Sequence, residues 1–330
     1  MSVRCPVTNQ THHAAGSAQA FQQIGVSNSE ATSSCERAWF FGYHPETKLA
    51  PNSFGVARTR GIVGHKVLET FYRHIMEEGE YDDAVNLAME YFEKERRMAF
   101  MMCDVEKLEM LNYLRKLLVM YFEHYESDIK NWEILDVEGF HLLEWEGEKR
   151  IYLPMRLDLV IYQRSGNFKG ETSPVDHKFT NDFWNDYKIR LSSQMPLYIR
   201  ALRASRWAGK REPVVKRSVL NQIRTRTLKD PFPSELFRRQ FVPANEHGME
   251  RIFDNHRKKA LQKARWKGMS ADEVFAETKA EWGSANCQFC DFKALCAIDL
   301  EGGNLQTTIA AEYQRSEYGY PSMEELRNER

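Results

Sequence analysis

The stretch from Leu153 to Lys178, LPMRLDLVIYQRSGNFKGETSPVDHK, constrains the fold of this chain more than any other. Leu157, Leu159 and Ile161 alternate with polar or amphipathic neighbours, which is the period of a strand. A Ser165-Gly166-Asn167 turn signal follows, and a second short run leads into Val175. The pattern predicts a β-hairpin. Asp158 falls inside the first apolar run, where an ionised carboxylate is costly unless something compensates it. Asp176 and Lys178 are two apart on the second run, so a strand points both to one face. Two carboxylates on adjacent strands make a site for a hard divalent cation, and the ammonium beside them a partner for a bound water. An isolated D-x-K tripeptide is more often a plain ion pair at a sheet edge, so the rest of the chain has to supply the context.

The chain has 330 residues, enough for one large domain or two small ones, and 42% hydrophobic with 12% aromatic residues is ample for a packed core. No apolar run reaches the roughly eighteen residues of a membrane span. The N-terminal MSVRCPVTNQTHHAAGS lacks the basic-then-apolar pattern of a secretory signal, so a cytoplasmic location is the simplest expectation. There, six cysteines stay reduced unless they hold metal or do redox work. Formal net charge is −1, so any nucleic-acid contact must come from local charge. The charge is segregated. Between Lys188 and Lys229 lie Arg190, Arg200, Arg203, Arg206, Lys210, Arg211, Lys216, Arg217, Arg224 and Arg226 against one acid, Glu212. His256, Arg257, Lys258, Lys259, Lys263, Arg265 and Lys267 form a second basic block. One such block reads as a solvated helix face; two, after a cation site, predict a groove that tracks phosphates.

Residues 1–26 have little periodicity and are expected to be poorly ordered. Ser27 or Ser29 then offers an N-cap for a helix running through Cys35 to Tyr43. After a loop, Gly61-Ile62-Val63-Gly64-His65 leads into Val67, Leu68, Phe71, Tyr72 and Ile75 at helical spacing, with His65 expected in the first turn. Apolar and aromatic residues from Tyr81 to about Lys130 keep helical spacing, a helical insertion over about 66–132. Ile134 to Leu143 reads as a strand, and the Glu146-Gly147-Glu148 turn leads into the central hairpin. Beyond Lys178 a helical pattern interrupted by Pro196 carries Gln194 and Tyr198 on one face. Val214 to Ile223 reads as a further strand, and Asp230-Pro231-Phe232-Pro233 breaks the chain before a basic helix near 245–267. Singly, Cys35 reads as a small buried hydrophobe, His65 as a capping residue, Gln194 as a solvent-facing amide and Tyr198 as a core ring.

Cys287, Cys290 and Cys296 form C-x2-C-x5-C. Three thiols so close point to metal in a reducing compartment, and a closed site needs a fourth ligand, for which Cys5, Cys35 and Cys103 qualify by count. Tetrahedral zinc and a [4Fe–4S] cluster both fit, and the spacing does not separate them.

Taken together, Arg156-Leu157-Asp158-Leu159-Val160 and Val175-Asp176-His177-Lys178-Phe179-Thr180 resemble the signature of the PD-(D/E)XK nucleases, and specifically their RecB-type branch. Gly61 to His65 resembles the G-x-x-x-H motif of that branch, Gln194 to Tyr198 its Q-x-x-x-Y motif, and Cys35 with the C-x2-C-x5-C run its iron–sulfur subgroup, which includes AddB-type and CRISPR-associated adaptation exonucleases. The chain departs from the pattern in having Glu36 where a proline usually follows the first cysteine, and no proline before Asp158. The resemblance implies an α/β fold with a restriction-endonuclease-like core, a mixed central sheet flanked by helices, plus the helical insertion and a C-terminal iron–sulfur-stapled segment. It implies a nuclease domain over 27–299 and a tail over 300–330. His65, Asp158, Asp176 and the backbone carbonyl of His177 would hold one or two Mg2+ or Mn2+ ions, with Lys178, Gln194 and Tyr198 as catalytic residues. Cys35, Cys287, Cys290 and Cys296 would hold the cluster, with zinc the less favoured occupant. The activity implied is metal-dependent DNA cleavage, as a single-strand-preferring exonuclease in recombination, repair or CRISPR-type adaptation. No helicase P-loop occurs in the sequence, so unwinding would fall to a helicase or recombination partner. The alternative is a non-catalytic DNA-binding or scaffolding subunit of the same fold, against which the intact His65, Asp158, Asp176 and Lys178 argue.

Overall fold

A computed structural model describes residues 24–25, 35–53, 55–145, 151–204, 213–283 and 287–316. Ser27, Ser29, the Glu146-Gly147-Glu148 turn, Arg206, Lys210, Arg211, Cys5 and nearly all of the segment expected to be poorly ordered lie outside the described residues. In chain order the elements are β1 (Ile24–Gly25), α1 (Glu36–Tyr43), β2 (Leu49–Pro51), α2 (Val56–Met76), α3 (Tyr81–Met101), α4 (Val105–Tyr125), β3 (Trp132–Trp145), β4 (Ile151–Gln163) and β5 (Thr172–Thr180). There follow α5 (Asp186–Leu191), α6 (Gln194–Ala204), β6 (Arg217–Arg224), β7 (Phe237–Pro243), α7 (Glu246–Lys267), α8 (Ala271–Glu277), α9 (Lys293–Leu300), α10 (Leu305–Glu312) and β8 (Tyr313–Arg315). Single-turn helices are left unnumbered.

The chain divides into two compact units, one built from 1–54, 143–154 and 254–330, the other from 55–142 and 155–253. The second unit is built on a mixed sheet: β4 pairs antiparallel with β5, β5 parallel with β6, and β6 antiparallel with β7, while β3 pairs with β4. Leu157, Leu159, Val160 and Ile161 are fully buried, as a central strand covered on both faces requires. Leu159, Ile161, Val175, Val219 and Ile223 share one apolar cluster with Val67, Leu68, Phe71 and Tyr72 of α2 and Leu111, Leu114 and Leu118 of α4. Helices α2 and α4 therefore supply the cover of one sheet face. Such an α/β arrangement is consistent with a restriction-endonuclease-like core.

Three details differ from expectation. α2 starts at Val56 behind Gly55, so His65 sits in its middle rather than its first turn. Pro196 does not interrupt a helix: α6 starts at Gln194, and a proline in the first turn gives up an N–H that has no helical partner anyway. The break falls at Ser192, the C-cap of α5. Strand β7 was not evident in the sequence, because Phe237-Arg238-Arg239-Gln240 looks solvated; Arg239 is in fact drawn inward by a bidentate pair with Asp128 at 2.8 and 2.9 Å.

The first unit has its own core of Trp39, Phe40, Phe41, Trp266, Phe275, Phe292, Leu295 and Tyr313. In it β1 pairs in parallel with the beginning of β4, and β8 returns antiparallel onto β2, with Leu49 opposite Arg315. The described part of the 300–330 tail is thus folded, as α10 and β8.

Candidate active site

Antiparallel register sets Leu159 opposite Val175, and so brings Asp158 and Asp176 to the same end of the β4–β5 pair. The Asp158 Oδ2 accepts a hydrogen bond of 2.8 Å from the His177 N–H and lies 3.4 Å from His65 Nδ1. Burial alone would raise the Asp158 pKa; the His65 and His177 imidazoles, the Lys178 ammonium and that N–H outweigh it and hold the carboxyl below its ordinary value. Lys178 Nζ is 2.8 Å from Asp176. Burial raises Asp176 above the ordinary carboxylate range, Lys178 opposes this and the Asp158 charge adds to it. Burial would lower Lys178, yet Asp176 and Asp158 together raise it, so the amine stays an ammonium. Both Asp176 oxygens thus lie 2.8 Å from the Lys178 ammonium, which hydrogen-bonds Oδ1 and leaves Oδ2 paired by charge rather than by an aligned hydrogen bond.

His65 comes to the site because Gly64 lets α2 lie against β5. A Cβ at Gly64 would stand 2.3 Å from Phe179 Cζ, inside any allowed contact. The His177 side chain points away from Asp176 and Lys178, as strand alternation demands. It stacks on Tyr72 with ring centres 5.7 Å apart and meets Asn221 Nδ2 at 2.8 Å, and burial depresses its pKa to about 3. Any ligand role for His177 therefore belongs to its backbone carbonyl.

A residue the sequence reading missed completes the cluster. Glu138 on β3 joins His65 and Asp158 in a group whose ligand atoms all lie within 4.8 Å of one another. Burial first, then the Asp158 charge, pushes its pKa up to about 7, against an ion pair with Arg156 at 2.8 Å. Its backbone is left-handed at φ 53°, uncommon for a residue with a side chain. Gly139 follows it, and a Cβ there would stand 1.8 Å from Asp136 Oδ2 unless that side chain shifted. An acid followed by glycine inside an apolar strand was the available signal.

Gln194 and Tyr198 lie on α6, which packs against β5 and β6, and Gln194 Nε2 donates to the Tyr198 hydroxyl at 2.5 Å. The basic blocks do not form one uniform track. Arg200 pairs with Glu250, Arg203 with Glu246 and Arg217 with Glu171 at 2.5 to 3.0 Å, while Lys263 is buried over the Trp39 and Trp266 rings.

The four cysteines all belong to the first unit. Cys35 is the N-cap of α1, and its Sγ lies 4.0 Å from the Lys279 carbonyl. Cys287 opens a single helical turn, Cys290 follows it, and Cys296 sits in α9. Burial raises the Cys290 thiol, the Phe292 N–H donating to its Sγ at 3.4 Å opposes this, and Cys35 and Cys287 add to it. Cys296 is pushed up to about 12 by burial and by Cys35 and Cys290. These mutual effects bring the four thiols into one electrostatic neighbourhood, whereas Cys103 is exposed at the α3–α4 turn of the second unit.

The family profile of the PD-(D/E)XK nuclease superfamily matches residues 23–297. The chain belongs to that superfamily. Its members are usually phosphodiesterases that use Mg2+ or Mn2+, and a nuclease fold implies DNA as substrate. Among solved structures, the crystal structure of SSO0001 is similar to this chain at 13% identity, covering 61% of this chain and 79% of that one with a TM-score of 0.29. No curated protein matches the sequence significantly. Among the described residues, no helix is long and apolar enough to cross a membrane.

The donor set fits a hard divalent ion. It offers two carboxylates and one imidazole already gathered, with the Asp176 carboxylate, whose Oδ2 makes no aligned hydrogen bond, beside them.

Proposed function

We propose that this chain is a metal-dependent deoxyribonuclease of the RecB-type branch, acting as an exonuclease on single-stranded DNA ends. The observation that carries the reading is the convergence of His65, Glu138, Asp158, Asp176 and Lys178 around one group of hard ligands. His65, Glu138, Asp158, Asp176 and the His177 carbonyl would hold Mg2+ or Mn2+. The ion supplies charge neutralisation at the scissile phosphate and acidifies a water. Lys178, kept protonated by its two acids, donates a hydrogen bond to the attacking oxygen and stabilises the negative charge developing on the phosphate. Asp176 fixes where that ammonium sits. Gln194 and Tyr198 orient the phosphate-side groups from α6.

Cys35, Cys287, Cys290 and Cys296 would bind a [4Fe–4S] cluster of structural role. Support comes from the C-x2-C-x5-C spacing, the mutual influence of the thiols and an N–H donated to one sulfur. Joining Cys35 to ligands about 250 residues later would remove much chain entropy from the unfolded state. Nuclease domain boundaries of 27–299 accord with this reading.

The test is digestion of end-labelled single- and double-stranded oligonucleotides with Mg2+ or Mn2+. Wild-type protein should release products only with the ion and faster from single strands. Lys178→Ala should lose about 10²–10³ in rate while keeping its fold and colour. Wild-type cleavage by Lys178→Ala defeats the assignment, and DNA binding without ion-dependent products favours the scaffolding alternative.

A further inference from the structure

Strand β5 does not end at Lys178; it runs to Thr180 and opens into a segment, 181–191, that the hydrolytic reading leaves without a task. Two aromatic residues and a helix of two exposed apolar side chains occupy it. The Trp184 ring is half-buried, 5.9 Å from Lys178 Nζ and 4.3 Å from Lys188 Nζ. Phe183 lies under the Arg224 guanidinium at 4.3 Å, with Arg238 at 5.9 Å. Tyr187 and Leu191 are 76% and 72% exposed, one helical turn apart on α5. Large apolar groups left in water beside ring-facing cations need an explanation, since scattered exposure is ordinary but a cluster is not.

The segment is held in place by buried chemistry. Gln222, fully buried on β6, accepts a hydrogen bond of 2.6 Å from the Trp184 N–H and donates one of 2.9 Å to Gln240 on β7. Thr180 Oγ1 donates to the Asp182 carbonyl, and the Asn185 side chain caps α5 by accepting from the Lys188 N–H. A buried amide placed to fix one backbone N–H in a loop marks that loop as positioned.

We propose that the segment 181–191 is a base-stacking platform for unpaired DNA, with the Trp184 indole receiving the base of the nucleotide whose phosphate reaches Lys178. This rests on the nuclease reading and names the part of the substrate it grips. A base presents a π-face whatever its identity, so stacking holds a strand without reading its sequence. In the free protein Lys188 lies over the indole; stacking a base outweighs an exposed cation–π contact, and the displaced ammonium is left beside the strand to take a phosphate. In a duplex the bases already stack on each other, so only an unpaired end can use the platform. Preference for single strands then follows from Trp184 and Tyr187 rather than from the carboxylates.

The test measures binding of labelled oligonucleotides to the full chain in divalent-free buffer. Each strand is made with ordinary bases and with abasic residues. Trp184→Ala should weaken the ordinary single strand about tenfold or more, with no effect on the abasic strand or on a blunt duplex. Trp184→Phe should recover most of the loss. Lys188→Gln should flatten the dependence of log K on log[salt] by about 0.7, one phosphate contact on a single strand. Equal weakening of ordinary and abasic strands by Trp184→Ala, or an abasic strand bound by wild type as tightly as an ordinary one, overturns the platform. The outcome is separable from the hydrolytic reading. Failure of wild type to cleave with Mg2+ or Mn2+ defeats the nuclease assignment, while cleavage by wild type with unaltered binding by Trp184→Ala defeats the platform alone.

Discussion

The carboxylate cluster of the second unit and the thiol group of the first are both assembled from distant sequence, but they solve the problem of buried polar groups differently. Asp158 and Asp176 have partners from the protein: an N–H, an imidazole and an ammonium within 3.4 Å. That site is preorganised, and an arriving ion finds its ligands already charged or held. Burial raises the pKa of the Cys290 and Cys296 thiols, and the Phe292 N–H donating to Cys290 Sγ only partly opposes it. A thiol becomes a ligand only once deprotonated, so on the proposed reading this group would gain its order from the metal it binds. On that reading one site would be built by the fold and then loaded, and the other would build part of the fold by being loaded.

The contrast can be broken most sharply at Asp158. Asp158→Ala should lower ion-dependent cleavage by about 10³ or more, some 4 kcal/mol in the barrier, while melting temperature and visible absorbance stay near wild type. Collapse of the fold would mean that the site is not self-sufficient. Cys35→Ala should do the reverse, removing the brown absorbance and costing about 3 kcal/mol, or roughly 6–12 °C in melting temperature of a domain this size. A colourless wild type containing zinc by metal analysis would move the assignment to the other occupant. Glu138→Gln comes next: the ion concentration for half-maximal cleavage should rise about 10- to 100-fold with modest change at saturation, because a ligand rather than the amine is lost.

The smallest effect belongs to His44 of the first unit. Its Nε2 meets the Met269 carbonyl at 3.1 Å and its Nδ1 accepts from the Glu46 N–H at 3.4 Å, so the ring is the neutral Nε2–H tautomer, and burial lowers its pKa. Unfolded, the ring takes up a proton near pH 6.5; folded, only at lower pH. Stability from this group is complete above 6.5 and declines as pH falls below it, by at most about 1.4 kcal/mol per pH unit. Thermal melts of wild type and His44→Gln between pH 7 and 5 should converge with falling pH; parallel curves would show that the ring is not held neutral.

Much of the candidate site was legible because strand alternation is simple. Asp158 in an apolar run and Asp176 two before Lys178 fixed one face without any coordinates. Glu138 was hidden because its left-handed backbone, φ 53°, departs from the extended geometry on which counting by twos depends. β7 was hidden for a related reason, since Arg239 reads as solvent-facing until Asp128 is known to be its partner. Pro196 misled in the opposite sense: proline breaks a helix only past its first turn. The basic blocks were the least legible, because a list of arginines does not say which ones acids elsewhere in the chain have already claimed.

The discontinuity of the first unit has a consequence for biosynthesis. The second unit is complete in sequence once residue 253 has been made, whereas Cys287, Cys290, Cys296 and the β8 strand that pairs with β2 come only afterwards. At about 5–20 residues per second on the ribosome, seconds separate the two events. On the proposed cluster reading the Cys35 thiol would wait for companions made some 250 residues later, and metal delivery would follow completion of the second unit.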